Sequence, residues 1–263
     1  MAELVAEPGP GGTVRLPVQR SQAPLILHRT ADAVYLVGGA AGPLGGDTLE
    51  LRIEVRAGAT LRLRTVAAAV ALPGRYGQES LLTVTATVGA GARLEYLPEP
   101  TVAADRARHR TEVAVDLAED ATLVLRDEVV LGRHGEQGGS CRTRLRVDRA
   151  GRPLLRHELA VDGADPAARG PAVLAGHRAA GTLVTVEPDV ADVNDVTEGR
   201  VDPLGPWVAV MPLAGPGVLV TALAHDTWTL RRRLESGRLE SGRLESGRLP
   251  VSPVLSGTGG GIA

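Results

Sequence analysis

The chain of 263 residues contains no lysine, no phenylalanine and a single cysteine. Without lysine there is no P-loop lysine to reach nucleotide phosphates and no side-chain amine for a Schiff base, which excludes those two kinds of catalytic site. The lone Cys141 excludes an intrachain disulfide and a multi-cysteine zinc site. Any nucleotide hydrolysis associated with this protein must therefore take place on a partner.

Aromatic residues and net charge are also scarce. Two Trp and three Tyr leave few rings on which bases could stack, and the formal charge of −2 lacks the basic excess of a nucleic-acid binder. Residues 231–263 carry six Arg and three Glu, so the preceding 230 residues sum to −5. We therefore predict no nucleic-acid partner, and a mildly acidic body that suits traffic in divalent cations.

Long apolar runs are absent too. No segment approaches the ~18 uninterrupted apolar residues that indicate a membrane span. The first residues, MAELVAEPGPGG, include acidic side chains and no continuous apolar core of signal-peptide length. The sequence predicts a cytoplasmic protein without a membrane partner.

Alternation of apolar and polar residues is the main pattern present. Leu49, Leu51, Ile53 and Val55 alternate with charged residues, and the alternation resumes after the turn at residues 57–59. Period-2 segments on both sides of a glycine turn indicate strand–turn–strand units, and further units follow along the chain. The pattern predicts an all-β protein, and spacing alone leaves a solenoid and a sandwich open.

The ends of the chain differ from this body. We predict a flexible lead over residues 1–12, a single β-rich domain over 13–230, and a tail over 231–263 that contains RLESG three times in tandem. A glycine every five residues suits neither helix nor strand, so the tail is predicted to be disordered and dispensable for stability, with a short docking helix as the alternative. Residues 166–180 are a helix candidate or an interrupted loop, and the acidic run 192–198 is interpreted as a turn.

The order of segments between residues 24 and 136 resembles the UreD family (UreH in some lineages), the urease accessory proteins. The segments are PLILHRT, VYLVGGAAGPLGGDTLELRIEVRAGATLRLRT, ARLEYLPEPTVAADRARHRTEVAV and RDEVVLGRHGE. The resemblance implies a β-helix-like stack of short strands with a small helical element. It also implies a non-catalytic scaffold that binds apo-urease with a UreF-like helical adaptor and a UreG-like GTPase, passing nickel transiently without a tightly bound cofactor.

Three family-like motifs carry candidate site residues. Asp47 follows Gly45 and Gly46, and is either a turn residue or an acidic group on a nickel passage. Glu128 precedes Gly132-Arg133 and Gly135-Glu136, with His134 between them, and carboxylate and imidazole donors suit a transiently held nickel ion. We therefore predict a passage that involves Asp47, Glu128, His134 and Glu136, with a solvated Arg–Glu pairing as the alternative.

The third motif is mainly architectural. Leu97, Pro98 and Pro100 match a family Leu-Pro-x-Pro, in which prolines end a strand and force an extended exit. Glu95 precedes it and lies between apolar neighbours. The competing function is an autonomous β-rich module that binds a protein or a carbohydrate, and the scarcity of aromatic subsites argues against a polysaccharide lyase.

Overall fold

A computed structural model describes residues 1–188 and 205–245, which form two large sheets and a helix. The first sheet has seven strands in the order β14-β13-β11-β8-β5-β1-β2. Their bounds are β1 Ala2–Pro8, β2 Val14–Arg20, β5 Thr48–Val55, β8 Ser80–Val88, β11 Arg108–Leu117, β13 Ser140–Arg149 and β14 Arg152–Asp162.

The second sheet has the order β16-β17-β15-β12-β9-β6-β4-β3, with the short strands β7 and β10 pairing beside β12. The bounds are β3 Leu25–Arg29, β4 Val34–Gly38, β6 Thr60–Thr65, β7 Ala69–Ala71, β9 Arg93–Leu97, β10 Thr101–Ala103, β12 Thr122–Leu131, β15 Ala179–Val186, β16 Val208–Pro212 and β17 Val218–Ala224. The α-helix α1 spans Thr227–Glu245.

The middle of each sheet is parallel because the chain winds from one sheet to the other and back. Strands β1, β5, β8, β11 and β13 pair in parallel in the first sheet, and β4, β6, β9 and β12 do so in the second. The connecting turns stack: Gly58 donates its N–H to the Ala90 carbonyl at 2.8 Å. Antiparallel strands close the ends of the stack. The predicted all-β, β-helix-like architecture is confirmed.

The main core lies between the two sheets. The residues of β5 that alternate inward, Leu51, Ile53 and Val55, are almost fully buried, and they pack with inward residues of the other coils. The outward charged residues pair along the strand, as when Arg56 Nε donates to Glu54 Oε1 at 3.0 Å. The alternation in the sequence therefore separates core from surface as predicted.

The prediction of a flexible lead at residues 1–12 is wrong. Strand β1 pairs in parallel with β5 and antiparallel with β2, and its Ala2, Leu4 and Ala6 are fully buried in the main core. These three small or apolar residues alternate with period 2, but the glycines and prolines at 8–12 obscured so short a pattern. The first residues of the chain are an inner strand.

The prediction of a disordered tail is wrong for residues 231–245, which belong to α1. Leu230 and Leu234 are fully buried against β15 and β17, and Gly237 brings the helix backbone against Val220. These positions follow the i, i+4, i+7 spacing of one helical face, so the first glycine of the repeat allows close packing. Residues 246–263 lie outside the described part of the chain.

The sequence also predicts a structure for residues 166–180 and for the acidic run 192–198. Residues 166–180 form a 3₁₀ helix at Pro166–Arg169 followed by turns, with β15 beginning at Ala179, so the interrupted loop is confirmed and the longer helix is not. The acidic run 192–198 lies outside the described residues. In the described residues, no helix combines the length and apolar character that a membrane crossing requires.

Candidate functional site

The Leu-Pro-Glu-Pro motif opens a break in the second sheet. Strand β9 pairs with β12 up to Tyr96 and Leu125, and β10 resumes the pairing at Thr101 and Val129. Prolines at 98 and 100 have no N–H to donate, so they interrupt the ladder between these pairs. The neighbouring coil is interrupted in the same place, between β6 and β7. We call this break, formed by residues 66–68, 98–100 and 126–128, the slot.

A cavity of about 430 Å³ occupies the slot and continues between the sheets. Its mouth is mostly apolar and is formed by residues 38–43 and 65–70. Its wall includes Glu99, Arg126 and Glu128, and its inner part reaches residues on both sheets. The inner lining includes Tyr96, His109, Thr111 and Asp127.

Successive residues of β12 point their side chains to opposite faces of the second sheet at the slot. Side chains alternate along a strand, so Asp127 points between the sheets while Arg126 and Glu128 point to the opposite face, towards α1. Consistent with this, Asp127 hydrogen-bonds Thr143 of the first sheet, and Glu128 contacts Arg231 of α1. A charged triplet in an otherwise apolar strand thus supplies both the interior and the wall of the cavity.

Glu128 belongs to a compact ionic cluster, the Glu99–Arg126–Glu128–Arg231 cluster. Its side chain is fully buried, and Arg231 approaches it with Nε at 3.0 Å and Nη2 at 2.9 Å from Oε2. The same Nη2 donates to Glu99 Oε2 at 2.7 Å. Arg126 lies 3.5 Å from Glu128 and donates to the Pro98 carbonyl at 3.0 Å. Burial raises the pKa of Glu128, and the two arginines offset part of that effect.

The inner part of the cavity holds neutral and weakly acidic groups. His109 Nδ1 lies 2.9 Å from Ser80 Oγ and its Nε2 lies 3.1 Å from Thr111 Oγ1, and burial lowers the pKa of His109 to about 4. Asp127 is half-buried, and desolvation raises its pKa to about 6, although the Thr143 hydrogen bond lowers it. The cavity therefore presents an uncharged imidazole and a carboxyl group that titrates close to neutral pH.

Asp47 closes a turn outside the cavity lining. Its Oδ2 accepts the Leu44 N–H at 2.8 Å, and its own N–H donates to the Leu44 carbonyl at 2.8 Å. Gly46 has φ of 100°. A β-carbon on Gly45 would lie 2.4 Å from Gly74 N, so this backbone approach requires glycine. The geometry supports the turn interpretation of Asp47, and the passage interpretation stays a prediction.

The loop at 132–136 is held by Glu136. Its carboxylate accepts the N–H groups of Arg133 at 2.9 Å and Asp105 at 3.1 Å, as well as the Arg133 side chain, and the Arg133 bond is the main reason that its pKa falls to about 2. Gly132 and Gly135 have φ of 73° and 78°, which favour glycine. His134 is exposed in this loop.

The remaining motif residues have structural contacts. Glu95 pairs with Arg93 at 2.9 Å and Arg62 at 3.4 Å. Leu97 packs against the cluster beneath α1, and the Pro100 carbonyl accepts the Ala69 N–H at 3.0 Å. The contacts of the motif are thus structural, and its effect on the fold is the slot.

The structure does not bring the four predicted passage residues into one metal site. Within residues 1–188 and 205–245, no group of three or more His, Cys, Asp or Glu side chains is arranged to hold a metal ion. Sequence reasoning missed Asp127, Glu99, His109 and Arg231. The available signal was the polar pair Asp127-Glu128 inside the apolar strand 122–131, next in space to a proline-broken strand.

Comparison with known proteins gives consistent results over nearly the whole chain. The family model described as UreD urease accessory protein matches residues 2–251. A urease accessory protein UreD from Parafrankia sp. is 46% identical, over 89% of this chain and 86% of its own length. Relatives with corresponding names from Frankia alni and Streptomyces griseus are each 45% identical, over 89% of this chain and 90% and 93% of their own lengths.

Proposed function

Because the chain belongs to the UreD family of urease accessory proteins, we propose that it is a non-catalytic scaffold that helps deliver nickel to urease. The family gives it a role in urease maturation as an accessory protein. The proposed partners are apo-urease, a UreF-like helical adaptor and, through the adaptor, a UreG-like GTPase. The family match favours this role over an autonomous protein- or carbohydrate-binding module.

The observation that carries the nickel proposal is the cavity that passes through the slot. Nickel accepts nitrogen and oxygen ligands, and the cavity offers the carboxylates of Glu99, Asp127 and Glu128 between apolar walls. Thr182 pairs with Asp127 across β12 and β15, and among the described residues its buried hydroxyl has no hydrogen-bond partner. Asp127 thus has an uncommitted hydroxyl oxygen beside it, just behind the cavity lining.

These oxygen ligands favour transient passage of a nickel ion over its stable binding. The inner part contributes Asp127 and neighbouring hydroxyls, whereas a protein site for a divalent transition metal normally uses several strong ligands fixed in one geometry. The mouth has no charged residue among positions 38–43 and 65–70, so an ion is not held there by opposite charge. Weak contacts of this kind let an ion leave again. The absence of lysine supports assigning nucleotide hydrolysis to the partner GTPase.

The test is the nickel content of urease matured in the presence of each variant, with gel filtration of the accessory complex. Asp127→Asn and Glu128→Gln should reduce nickel loading while the complex still assembles. Asp116→Asn is the matched control, because Asp116 lies on the outer face of the first sheet and its side chain is 56% exposed. Full nickel loading with both cavity variants would refute the passage through the slot.

Substitutions at the four positions predicted from the sequence should give different results in the same assay. Asp47→Ala and Glu136→Ala remove acceptors of backbone N–H groups, so assembly should weaken before nickel loading does. Glu128→Ala should affect nickel loading most. If His134→Ala, in the exposed loop, lowers nickel loading as strongly as Glu128→Ala, the passage runs past that loop instead of through the slot.

A further inference from the structure

Arg231 occupies the two carboxylates that a cation in the slot would meet. Its Nε and Nη2 approach both oxygens of Glu128, at 3.2 Å from Oε1 and 2.9–3.0 Å from Oε2, and Nη2 also binds Glu99 at 2.7 Å. Glu99 and Glu128 come from two successive coils, and both line the cavity. One guanidinium from α1 therefore bridges the two sides of the slot.

A guanidinium and a divalent cation would compete for these oxygens. Both Glu128 oxygens already accept hydrogen bonds from Arg231, and Arg126 lies on the same carboxylate at 3.5 Å. A cation that binds there must displace one arginine or lie beside two positive charges in a poorly solvated site, where like charges repel strongly. Arg126 is part of β12, whereas Arg231 belongs to a helix added outside the sheets, so Arg231 is the one that can leave.

The docked face of α1 is short and lies at one end of the second sheet. In the part of α1 whose side chains the structure describes, Leu230, Leu234 and the small Gly237 pack against β15–β17, and Arg233 donates a hydrogen bond to the Leu223 carbonyl of β17. Serine and glycine recur every five residues from Ser236, and both are poorer helix formers than alanine. All the described strands precede α1, so release of the helix breaks no strand pairing.

We propose that Arg231 and a divalent cation compete for Glu99 and Glu128, so that α1 acts as a latch on the slot. With α1 docked, Arg231 neutralises the carboxylates and closes this wall of the cavity. When a cation binds them, Arg231 is released and the docking of α1 weakens. Coupling is reciprocal, so anything that detaches α1 raises the affinity of the slot for the cation. This inference rests on the proposed function, since it regulates the same site.

The primary experiment is hydrogen exchange of the full chain with and without Ni²⁺. Saturating nickel should increase exchange of the amides at residues 230–238, while amides of β5 and β8 stay protected. Glu128→Gln should abolish the response. Unchanged exchange in α1 at saturating nickel, or full failure to bind nickel, would overturn the latch.

The second measurement is nickel affinity by titration calorimetry. Arg231→Met removes the competitor and should lower the Kd about tenfold, within the usual range of such couplings. Arg232→Met is the matched control, because Arg232 stacks on the exposed Trp228 at 4.6 Å and its variant should bind as the wild type does. A Kd for folded Arg231→Met equal to or above that of the wild type contradicts competition. If Arg231→Met does not fold, the exchange experiment on the unaltered chain decides.

The two proposals can fail separately. If nickel loosens α1 but Glu128→Gln still matures urease fully, the latch stands and the delivery route through the slot is wrong. If Glu128→Gln abolishes nickel loading but α1 shows no response to nickel, the route stands and the latch is wrong.

Discussion

Leu234→Ala tests whether the first RLESG unit is part of the folded protein. Leu234 is fully buried, and its Cδ1 would lie 3.1 Å from a β-carbon on Gly181. Truncating a buried leucine removes its transfer free energy and leaves a cavity, which together cost 2–5 kcal/mol. Because α1 covers the sheet from one side and can partly settle, we expect a loss of about 3 kcal/mol. For a chain of this size, that corresponds to a Tm lower by about 6–12 °C.

The assay is urea denaturation followed by far-ultraviolet circular dichroism, with a thermal melt of the same samples. Ser236→Ala is the matched control, since Ser236 is exposed and its hydroxyl bonds only the helix carbonyl of Arg232 at 2.7 Å. Its stability should stay within about 0.5 kcal/mol of the wild type. If Leu234→Ala is as stable as Ser236→Ala, α1 does not pack on β15–β17, and the tail is dispensable as the sequence suggested.

Three further predictions concern other parts of the fold. The raised pKa of Asp127, about 6, means that ionisation destabilises the folded state above that pH, so Asp127→Asn should raise Tm at pH 8 and lose this advantage as the pH falls towards 4. The lowered pKa of His109, about 4, means that its contribution to stability is full above pH 6.5 and falls as the pH drops towards 4. His109→Gln should therefore make Tm less dependent on pH over that range, and an unchanged pH profile would contradict burial of a neutral ring. Asp226 accepts the Thr229 N–H at 2.8 Å at the start of α1, so Asp226→Ala should cost about 1 kcal/mol in urea denaturation, and no loss would exclude capping.

Local patterns were sufficient for the strands in the middle of the chain but not for their partners. The alternation around Leu51 and the turn at Gly58 predict β5 and β6 because both signals lie within a few neighbouring residues. The pairing of Leu51 with Val84 in the next coil joins residues far apart in sequence, and period-2 alternation is the same in a sandwich. The resemblance to a family, more than the spacing, identified the stack. The short pattern at Ala2, Leu4 and Ala6 was lost beside the glycines and prolines that follow it.

The site was less predictable for the same physical reason. Glu128 could be selected from its motif, but its main partner Arg231 lies 103 residues away on a helix that exists because tertiary packing outweighs the low helix propensity of the repeat. Asp127 and Glu128 are neighbours in sequence and face opposite sides of the sheet, which no composition argument distinguishes. Glu136 shows the reverse case, in which a carboxylate with a suitable motif is committed to its own loop.

The antiparallel strands that end the first sheet have a consequence for self-association. A parallel stack could in principle continue from molecule to molecule, because its last strand offers a free row of N–H and C=O groups. Here β2 and β14 reverse the chain direction at the two ends, and each carries a proline, Pro17 and Pro153, which lacks an N–H. A second copy added at either edge would meet a strand that carries a proline and runs antiparallel to the stack. The edges of the first sheet are thus poor templates for end-to-end polymerisation into filaments.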